Sequence, residues 1–290
     1  MRKLIFGCGY LGRRVANRWL RAGDEVFVIT RSQDRAHEFQ LAGLTPLVAD
    51  LTQPETLRSL PQADVVLFAV GYDRANLTGS TIQQVYVDGL RNVLDALDNS
   101  FQRFVYISST GVFGQVASDW VDEESPCQPT RDGGIACLAA EQLLALHRVH
   151  DRSIILRLAG IYGPGRIPLR KPLAAGERIA APSEGNLNLI HVDDAAAIVD
   201  NALQKAIPPR LYLVSDGHAV LRADYYRRLA ELIGAPPPRF VTSDPTTPAA
   251  ARAASDKRVN NSRLLRELSP VFQYPSYREG LAAIVAEEGR

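Results

Sequence analysis

The chain has 290 residues, of which 46% are hydrophobic, so it can bury the core of one large domain or of two small ones. Its 33 basic and 32 acidic residues leave a formal charge of +1, which gives no basis for a nucleic acid partner. The three cysteines, Cys8, Cys127 and Cys137, are an odd number without metal-ligand spacing, so no metal site is predicted and a reducing cytoplasm is the expected location.

The first element is a short apolar strand that begins at Leu4 and runs directly into glycines at positions 7, 9 and 12. In a dinucleotide-binding turn, Gly7 permits the sharp bend, Gly9 lets the backbone approach a pyrophosphate, and Gly12 lets the next helix pack on the strand. A plain tight turn is the alternative, but apolar residues at helical spacing follow the glycines. The start of this helix turns its backbone N–H groups toward the phosphates, and we assign them to Tyr10 and Leu11.

The end of the second strand, Glu25 to Thr30, indicates which dinucleotide is bound. An NAD-binding unit places an acidic side chain near this point to bind the ribose hydroxyls. Here Arg31 and Ser32 follow the strand, with Arg35 one turn later, and they suit a 2′-phosphate. Solvated surface arginines are the alternative. The sequence therefore favours NADP over NAD.

Two further buried strands are predicted at 46–49 and 64–70. The second contains the longest apolar run of the later chain, which is too short to span a bilayer, so no membrane partner is predicted. Asp50 follows the earlier strand and could accept a hydrogen bond from an adenine amino group, although a helix cap is its alternative role. The residues assigned to the adenosine at these two strand ends are Asp50, Leu51, Ala69, Val70 and Gly71.

Strands and helices continue to alternate, with helices at 80–98 and 135–146 and strands at 101–108, 153–158 and 211–214. This alternation predicts an α/β fold, a doubly wound parallel-sheet Rossmann domain with a small C-terminal substrate-capping region. The predicted Rossmann domain covers 1–165 and 188–215, and the cap covers 166–187 and 216–290. Within the cap, Pro236–Pro238 and Thr242–Ala254 are predicted loops.

Four segments of the chain resemble the extended and atypical short-chain dehydrogenases/reductases, which include nucleotide-sugar epimerases and dehydratases. They are the glycine turn and the segments Val105–Gly114, Arg157–Gly165 and Ile190–Asp194. The Lys257–Asn260 and Tyr274–Gly280 segments add to the resemblance, which covers nearly the whole chain. It implies a nicotinamide dinucleotide as cofactor, and Ile161 is assigned to it.

The resemblance also implies a serine or threonine that holds the substrate oxygen, a tyrosine that transfers a proton, and a lysine that lowers the pKa of that tyrosine. A free phenol has a pKa of about 10 and is a poor base without such a cation. The serine corresponds to Ser109, with Thr110 beside it. The tyrosine and the lysine correspond to Gly133 and Cys137, and the family's active-site asparagine corresponds to Tyr86.

Two functions remain open at this stage. The first is an enzyme that uses NADP on a carbonyl or sugar-nucleotide substrate with a different proton donor, for which the candidates are Tyr86, Tyr72, Tyr162 and Cys137. The second is a non-catalytic NADP(H)-binding sensor whose state is read by a protein partner. A homodimer formed through the helices near 80–98 and 135–150 is also predicted from the resemblance.

The assignment of NADP can be tested with Arg31→Ala. The change is expected to weaken NADP binding by about ten- to hundredfold, because a hydrogen bond from a guanidinium to a phosphate contributes about 1.5–3 kcal/mol. NAD binding should remain nearly unchanged. Titration of the unmodified chain and of Arg31→Ala with NADP and with NAD measures these affinities. Equal affinity of the unmodified chain for the two nucleotides would contradict the assignment.

Overall fold

The computed structural model describes residues 1–72, 79–98, 100–115, 117–241 and 256–288. The strands of the first half are β1 (Arg2–Phe6), β2 (Glu25–Thr30), β3 (Thr45–Val48), β4 (Val65–Phe68), β5 (Arg103–Ser109), β6 (Asp119–Val121) and β7 (Ser153–Leu158). Those of the second half are β8 (Gly160–Tyr162), β9 (Arg178–Ala180), β10 (Asn186–Leu187), β11 (Leu189–His191), β12 (Arg210–Val214), β13 (Val220–Leu221), β14 (Arg239–Val241) and β15 (Lys257–Val259).

The α-helices within the described residues are distributed along the whole chain. They are α1 (Gly12–Arg21), α2 (Gln33–Leu41), α3 (Gly89–Ala96), α4 (Asp132–Leu146), α5 (Arg170–Ala174), α6 (Val192–Lys205), α7 (Arg222–Ile233), α8 (Ser262–Leu268) and α9 (Tyr277–Glu288). None of these helices is long and apolar enough to cross a membrane.

The centre of the molecule is a seven-stranded sheet in the order β12-β7-β5-β4-β1-β2-β3, and every neighbouring pair is parallel. Strand β4 is buried along its whole length, as a strand covered by helices on both faces must be. The strand order reverses at β1, so the connections on its two sides leave a crevice at the carboxyl ends of the strands. This arrangement confirms the predicted doubly wound fold.

The two faces of the sheet are covered by different helices. Helices α1, α2, α6 and α8 pack on one face, and α3 and α4 pack on the other. Trp19 of α1 is fully buried, and its Nε1 donates a hydrogen bond of 2.8 Å to Asp200 of α6. Leu264 and Leu268 of α8 also belong to the sheet core, although their segment was predicted as part of the cap.

The predicted helix at 80–98 differs from the observed one in its first half. Gln84–Asp88 form a single π-helical turn, which continues into α3. Gly89 starts α3 where a Cβ would lie 1.9 Å from the Leu51 side chain, so the glycine lets this helix pack against the end of β3. Helix α2 was not predicted, because only its Ala36 and Phe39 are buried and they give a weak periodic signal.

A second hydrophobic core lies beside the sheet, at the junction of β8, β9, α5, α7 and α9. Its fully buried members include Tyr162, Leu173, Ile179, Tyr225, Leu229, Leu281 and Ile284. Most of these residues come from the segments predicted to form the cap, yet the division of the chain into a Rossmann domain and a cap stays a prediction. The predicted loop at Thr242–Ala254 lies outside the described residues.

Asp216 is a buried carboxyl group beside this second core, and its side chain is 5% exposed. Its Oδ1 accepts a hydrogen bond of 2.9 Å from the backbone N–H of His218, and its Oδ2 accepts none from the described residues. Burial raises the pKa of Asp216 to about 7, and the nearby carboxylates of Asp194 and Glu279 act in the same direction. The folded chain therefore holds a proton on Asp216 at pH values where the unfolded chain does not.

This linkage predicts that Asp216→Asn stabilises the protein at pH 8 more than at pH 5. The folded pKa lies above the ordinary value of 3.8, so the stability associated with Asp216 is lost as the pH rises from about 4 to about 7. An amide does not titrate, and each pKa unit corresponds to about 1.4 kcal/mol. Thermal unfolding at a series of pH values measures the difference. The exposed Asp151→Asn serves as control, and a difference that does not vary with pH would contradict this interpretation.

Candidate functional site

A cavity of about 890 Å³ lies at the carboxyl ends of the central strands, where the strand order reverses. Most of the predicted cofactor residues line it, and two of them, Gly12 and Ser32, do not. The residues brought together on its wall are Gly7, Gly9, Tyr10, Leu11, Arg31, Asp50, Leu51, Ala69, Val70, Gly71 and Ile161. Residues from five separate strand ends therefore converge on one cavity, as the predicted fold requires.

The three glycines of the first turn differ in what the protein itself demands of them. Gly7 has a φ of +90°, and a Cβ there would lie 2.4 Å from the carbonyl oxygen of Ala69. A Cβ on Gly12 would lie 2.3 Å from the carbonyl oxygen of Gly7. A Cβ on Gly9 would meet no atom within 4 Å, and Gly9 has no positive φ. Nothing in the described chain requires a glycine at position 9, so its bare backbone fits a ligand that approaches it, as a diphosphate would.

The residues after β2 form the end of the cavity nearest the predicted adenosine. Arg31 is exposed and lines the cavity. Arg35 also lines it, and its Nη2 donates a hydrogen bond of 2.8 Å to the carbonyl oxygen of Cys8, which connects α2 to the glycine turn. The Ser32 hydroxyl accepts a hydrogen bond from the Arg35 N–H and caps α2. The structure thus gives Ser32 a local role and leaves the two arginines facing the ligand space.

Asp50 lies at the end of β3 on the cavity wall and is half-buried. Its Oδ1 accepts hydrogen bonds from the backbone N–H of Thr52 at 2.9 Å and from the Thr52 hydroxyl at 2.8 Å. This local turn fixes the carboxylate at the strand end. Among the described lining residues, Asp50 is the one acidic side chain, whereas Arg31, Arg35 and Arg166 are basic. The cavity therefore suits an anionic ligand.

The other end of the cavity begins where β5 ends. Ser109 lines the cavity, and its Oγ accepts a hydrogen bond of 3.0 Å from the backbone N–H of Gly111. Thr110 follows in a short 3₁₀ turn, where it is buried and does not line the cavity. The structure thus brings Ser109, and not Thr110, to the cavity wall.

Tyr86 lies in the π-helical turn and also lines the cavity. Its hydroxyl oxygen accepts a hydrogen bond of 3.1 Å from the backbone N–H of Tyr72. Tyr72 lines the cavity as well, but its own hydroxyl donates to the carbonyl oxygen of Ser80 at 2.9 Å. A single π-helical turn is rare and is frequently found at functional sites.

Helix α4 carries Gly133 and Cys137, the positions at which the resemblance predicts that the family's tyrosine and lysine are replaced. Cys137 lines the cavity, and burial raises the pKa of its thiol to about 12, so the thiol stays neutral near pH 7. Gly133 has room for a side chain, because a Cβ there would only meet Ile82 at 3.8 Å. Gly134, in contrast, allows the first turn of α4 to pack on Gly111, whose carbonyl oxygen would lie 2.1 Å from a Cβ.

A buried charged network fixes α4 to the sheet below the cavity. Arg157 of β7 forms a double hydrogen bond with Glu141 of α4, with Nη2–Oε2 and Nε–Oε1 distances of 2.7 and 3.0 Å, and both side chains are buried. Ser108 of β5 lines the cavity and donates its hydroxyl proton to Glu141 at 2.5 Å. The network joins α4, β5 and β7 at this end of the cavity, and a bidentate pair of this kind fixes their relative orientation.

Tyr162 does not reach the cavity. Its side chain is fully buried in the second core, and its hydroxyl donates to the carbonyl oxygen of Ser276 at 3.3 Å. Burial, followed by the charge of Asp216, raises its pKa above the ordinary value for a phenol. Gly280 makes room for the ring, because a Cβ there would lie 2.1 Å from the Tyr162 hydroxyl. The geometry therefore indicates a packing role for Tyr162.

Several lining residues were missed by sequence reasoning, among them Ser108, Tyr106 and Arg166. Tyr106 and Ser108 lie on the strand predicted at 101–108, which ends just before Ser109, and alternation along that strand does not reveal which side chains reach its open end. The sequence could have indicated a buried ion pair at Glu141, since an acidic residue on an alanine-rich buried helix implies a buried partner. Arg166 follows a glycine-rich turn and carried no signal of its own.

Comparisons with known proteins agree with this geometry. The sequence model of the NAD dependent epimerase/dehydratase family matches residues 4–215. Protein YeeZ from Escherichia coli is 28% identical over 279 residues, covering 93% of this chain and 95% of YeeZ. A structure from Methylobacillus flagellatus, provisionally assigned as an NAD-dependent epimerase/dehydratase, is 32% identical with a TM-score of 0.80 and covers 100% of this chain and 99% of that chain.

A more distant structure shares the fold alone. The Bordetella bronchiseptica enzyme WbmG, solved in complex with NAD and UDP, is 23% identical with a TM-score of 0.83. The superposition covers 100% of this chain and 96% of that chain. The seven-stranded sheet and its helices are therefore arranged as in an enzyme that was solved with a dinucleotide.

The steric contrast between the glycines yields a testable prediction. Gly9→Val is expected to lower the affinity for NADP and NAD by more than about a hundredfold while the chain stays folded, because the added side chain would enter the ligand space and its Cβ would meet no protein atom within 4 Å. Circular dichroism and nucleotide titration together measure this.

The matched control is Gly12→Ala, whose Cβ would collide with the carbonyl oxygen of Gly7. This variant should lose thermal stability, which Gly9→Val should largely keep. A folded Gly9→Val variant with unchanged nucleotide affinity would show that the diphosphate binds elsewhere.

Proposed function

Because the chain belongs to the NAD-dependent epimerase/dehydratase family, we propose that it binds NADP(H) and uses it on a carbonyl or sugar-nucleotide substrate. The observation that carries this proposal is the continuity of one cavity. The glycine turn and Arg31 lie on its wall together with Ser109 and Tyr86. A dinucleotide at the first group would thus share one cavity with hydroxyl groups suited to a substrate carbonyl.

The role proposed for each residue follows from the chemistry of its side chain. Bound NADP(H) supplies or accepts the hydride. Arg31 contacts the 2′-phosphate, Ser109 hydrogen-bonds the substrate oxygen, and Tyr86 exchanges a proton with it. In the reducing direction, Tyr86 would donate its hydroxyl proton to the oxygen of the carbonyl being reduced, and that proton would be replaced from solvent.

Tyr86 is the preferred proton donor among the four candidates. Tyr162 lies in the second core, the Tyr72 hydroxyl donates to a backbone carbonyl, and the Cys137 thiol is buried with a pKa of about 12. Tyr86 lines the cavity, and the N–H of Tyr72 holds its hydroxyl oxygen in place. The chain has no Tyr-x-x-x-Lys, so the proposed reaction does not use the family's tyrosine–lysine relay.

A second candidate function is a non-catalytic NADP(H)-binding sensor read by a protein partner. It is favoured by the replacements at Gly133 and Cys137, which remove the phenol and the cation of the relay, and by the engagement of the Ser109 oxygen with Gly111. A homodimer and a cytoplasmic location stay predictions under both functions.

The catalytic proposal predicts NADPH oxidation with at least one member of a panel of carbonyl compounds and sugar nucleotides. Tyr86→Phe is expected to lower kcat by roughly 10²–10⁴-fold, which is the usual contribution of general acid catalysis, with little change in the affinity for NADPH. Ser109→Ala should lower kcat as well. Steady-state kinetics and a separate NADPH titration make the distinction.

Tyr72→Phe and Cys137→Ala test the competing donors, and each is expected to affect kcat less than Tyr86→Phe. The double change Gly133→Tyr with Cys137→Lys should not by itself give efficient turnover, because Tyr86 still replaces the active-site asparagine. NADPH that binds tightly but is oxidised with no member of the panel would favour the sensor.

A further inference from the structure

The ring of Tyr10, directly after Gly9, lies close to two arginine side chains. The Cζ of Arg14 is 4.3 Å from the ring centre, and the Cζ of Arg166 is 5.2 Å from it. The Tyr10 hydroxyl donates to the carbonyl oxygen of Pro164 at 3.1 Å. This hydrogen bond attaches the glycine turn to a segment 154 residues further along the chain.

The two arginines differ in whether a carboxylate of the protein neutralises them. Arg14 is paired with Asp193, with an Nε–Oδ1 distance of 2.8 Å, and its Nη1 donates to the carbonyl oxygen of Tyr10. The guanidinium of Arg166 makes no salt bridge and no hydrogen bond within the described parts of the chain. Its backbone is held by a bridge to Gly163, which places Arg166 at the end of a tight turn. One cation on the Tyr10 ring is therefore neutralised by the protein and the other is not.

Arg166 lines the same cavity as the glycine turn. Arg31 and Arg35 follow β2, whereas Arg166 lies against the ring of Tyr10, the residue after Gly9. A diphosphate on this turn carries two negative charges, and backbone N–H groups alone do not neutralise them. A guanidinium supplies both the charge and a planar pair of donors for phosphate oxygens.

We propose that Arg166 binds the diphosphate of the dinucleotide and is a cofactor-binding residue in addition to those of the glycine turn and β2. This inference rests on the proposed binding of a nicotinamide dinucleotide. The cation–π contact with Tyr10 holds the guanidinium beside the turn, and the diphosphate completes its charge balance.

The position of Arg166 gives this contact a second consequence. The residue begins the segment 166–187, in which Leu173 and Ile179 are fully buried in the second core. A diphosphate bound by Arg166 therefore connects the nucleotide to the segment predicted to cover the substrate. Nucleotide binding should slow amide hydrogen exchange in residues 167–175, and Arg166→Ala should abolish most of this effect.

The experiment compares Arg166→Ala, Arg166→Lys and the control Arg178→Ala, which removes an exposed cation from the same segment outside the cavity. The ligands are NADP, NAD and ADP-ribose, which contain a diphosphate, and 2′-AMP, which does not. Arg166→Ala should weaken all three diphosphate ligands by a similar factor of about ten, since Arg166 is exposed and the contact is partly screened. Its affinity for 2′-AMP should not change, Arg166→Lys should recover part of the loss, and Arg178→Ala should bind as the unmodified chain does.

The outcomes separate this inference from the proposed function. Unchanged affinity of Arg166→Ala for NADP, NAD and ADP-ribose would overturn the inference while leaving nucleotide binding intact. A loss confined to NADP and 2′-AMP would assign Arg166 to the 2′-phosphate, which would also overturn the inference. Failure of the unmodified chain to bind any dinucleotide would overturn the proposed function itself.

Discussion

The close approach of Gly7 to the end of β4 is the contact on which the site depends. The N–H of Ala69 donates to the carbonyl oxygen of Phe6, and the next bend passes so near Ala69 that no Cβ fits at Gly7. Gly12 then packs on the carbonyl oxygen of Gly7 and starts α1 there. Because this turn packs closely against the end of β4, it leaves the cavity open at the point where the strand order reverses.

The opposite end of the cavity is held by charge instead of by close backbone packing. Glu141 accepts hydrogen bonds from Arg157 and Ser108, so α4 is joined to both β5 and β7 below the cavity. Such a pair is costly to bury and becomes far more costly when one partner is removed. Cys137, which lines the cavity, lies one helical turn before Glu141 on α4. The buried pair therefore also fixes the part of α4 that reaches the cavity wall.

The side chains available at this end come from different elements. Tyr86 belongs to the π-helical turn, whereas α4 contributes Cys137 to the cavity wall. The surplus of positive charge lies with the arginines around the dinucleotide space, since Asp50 is the one acid among the described lining residues. The cavity therefore suits an anionic nucleotide. Any proton transfer must rely on hydroxyl groups, because α4 carries no lysine beside them.

The sequence by itself determined the doubly wound sheet, the turn at Gly7 to Gly12 and the position of Arg31, because these follow from local spacing and from buried strands that alternate with helices. It could not separate Tyr86 from Tyr162, since both are tyrosines near family motifs, and only burial in the second core removes Tyr162 from the cavity. It also could not find the Glu141–Arg157 pair or the contact of Arg166 with Tyr10. Those contacts join residues from distant parts of the chain, and periodic patterns carry no information about which strand ends, helix faces and turns meet once the chain is packed.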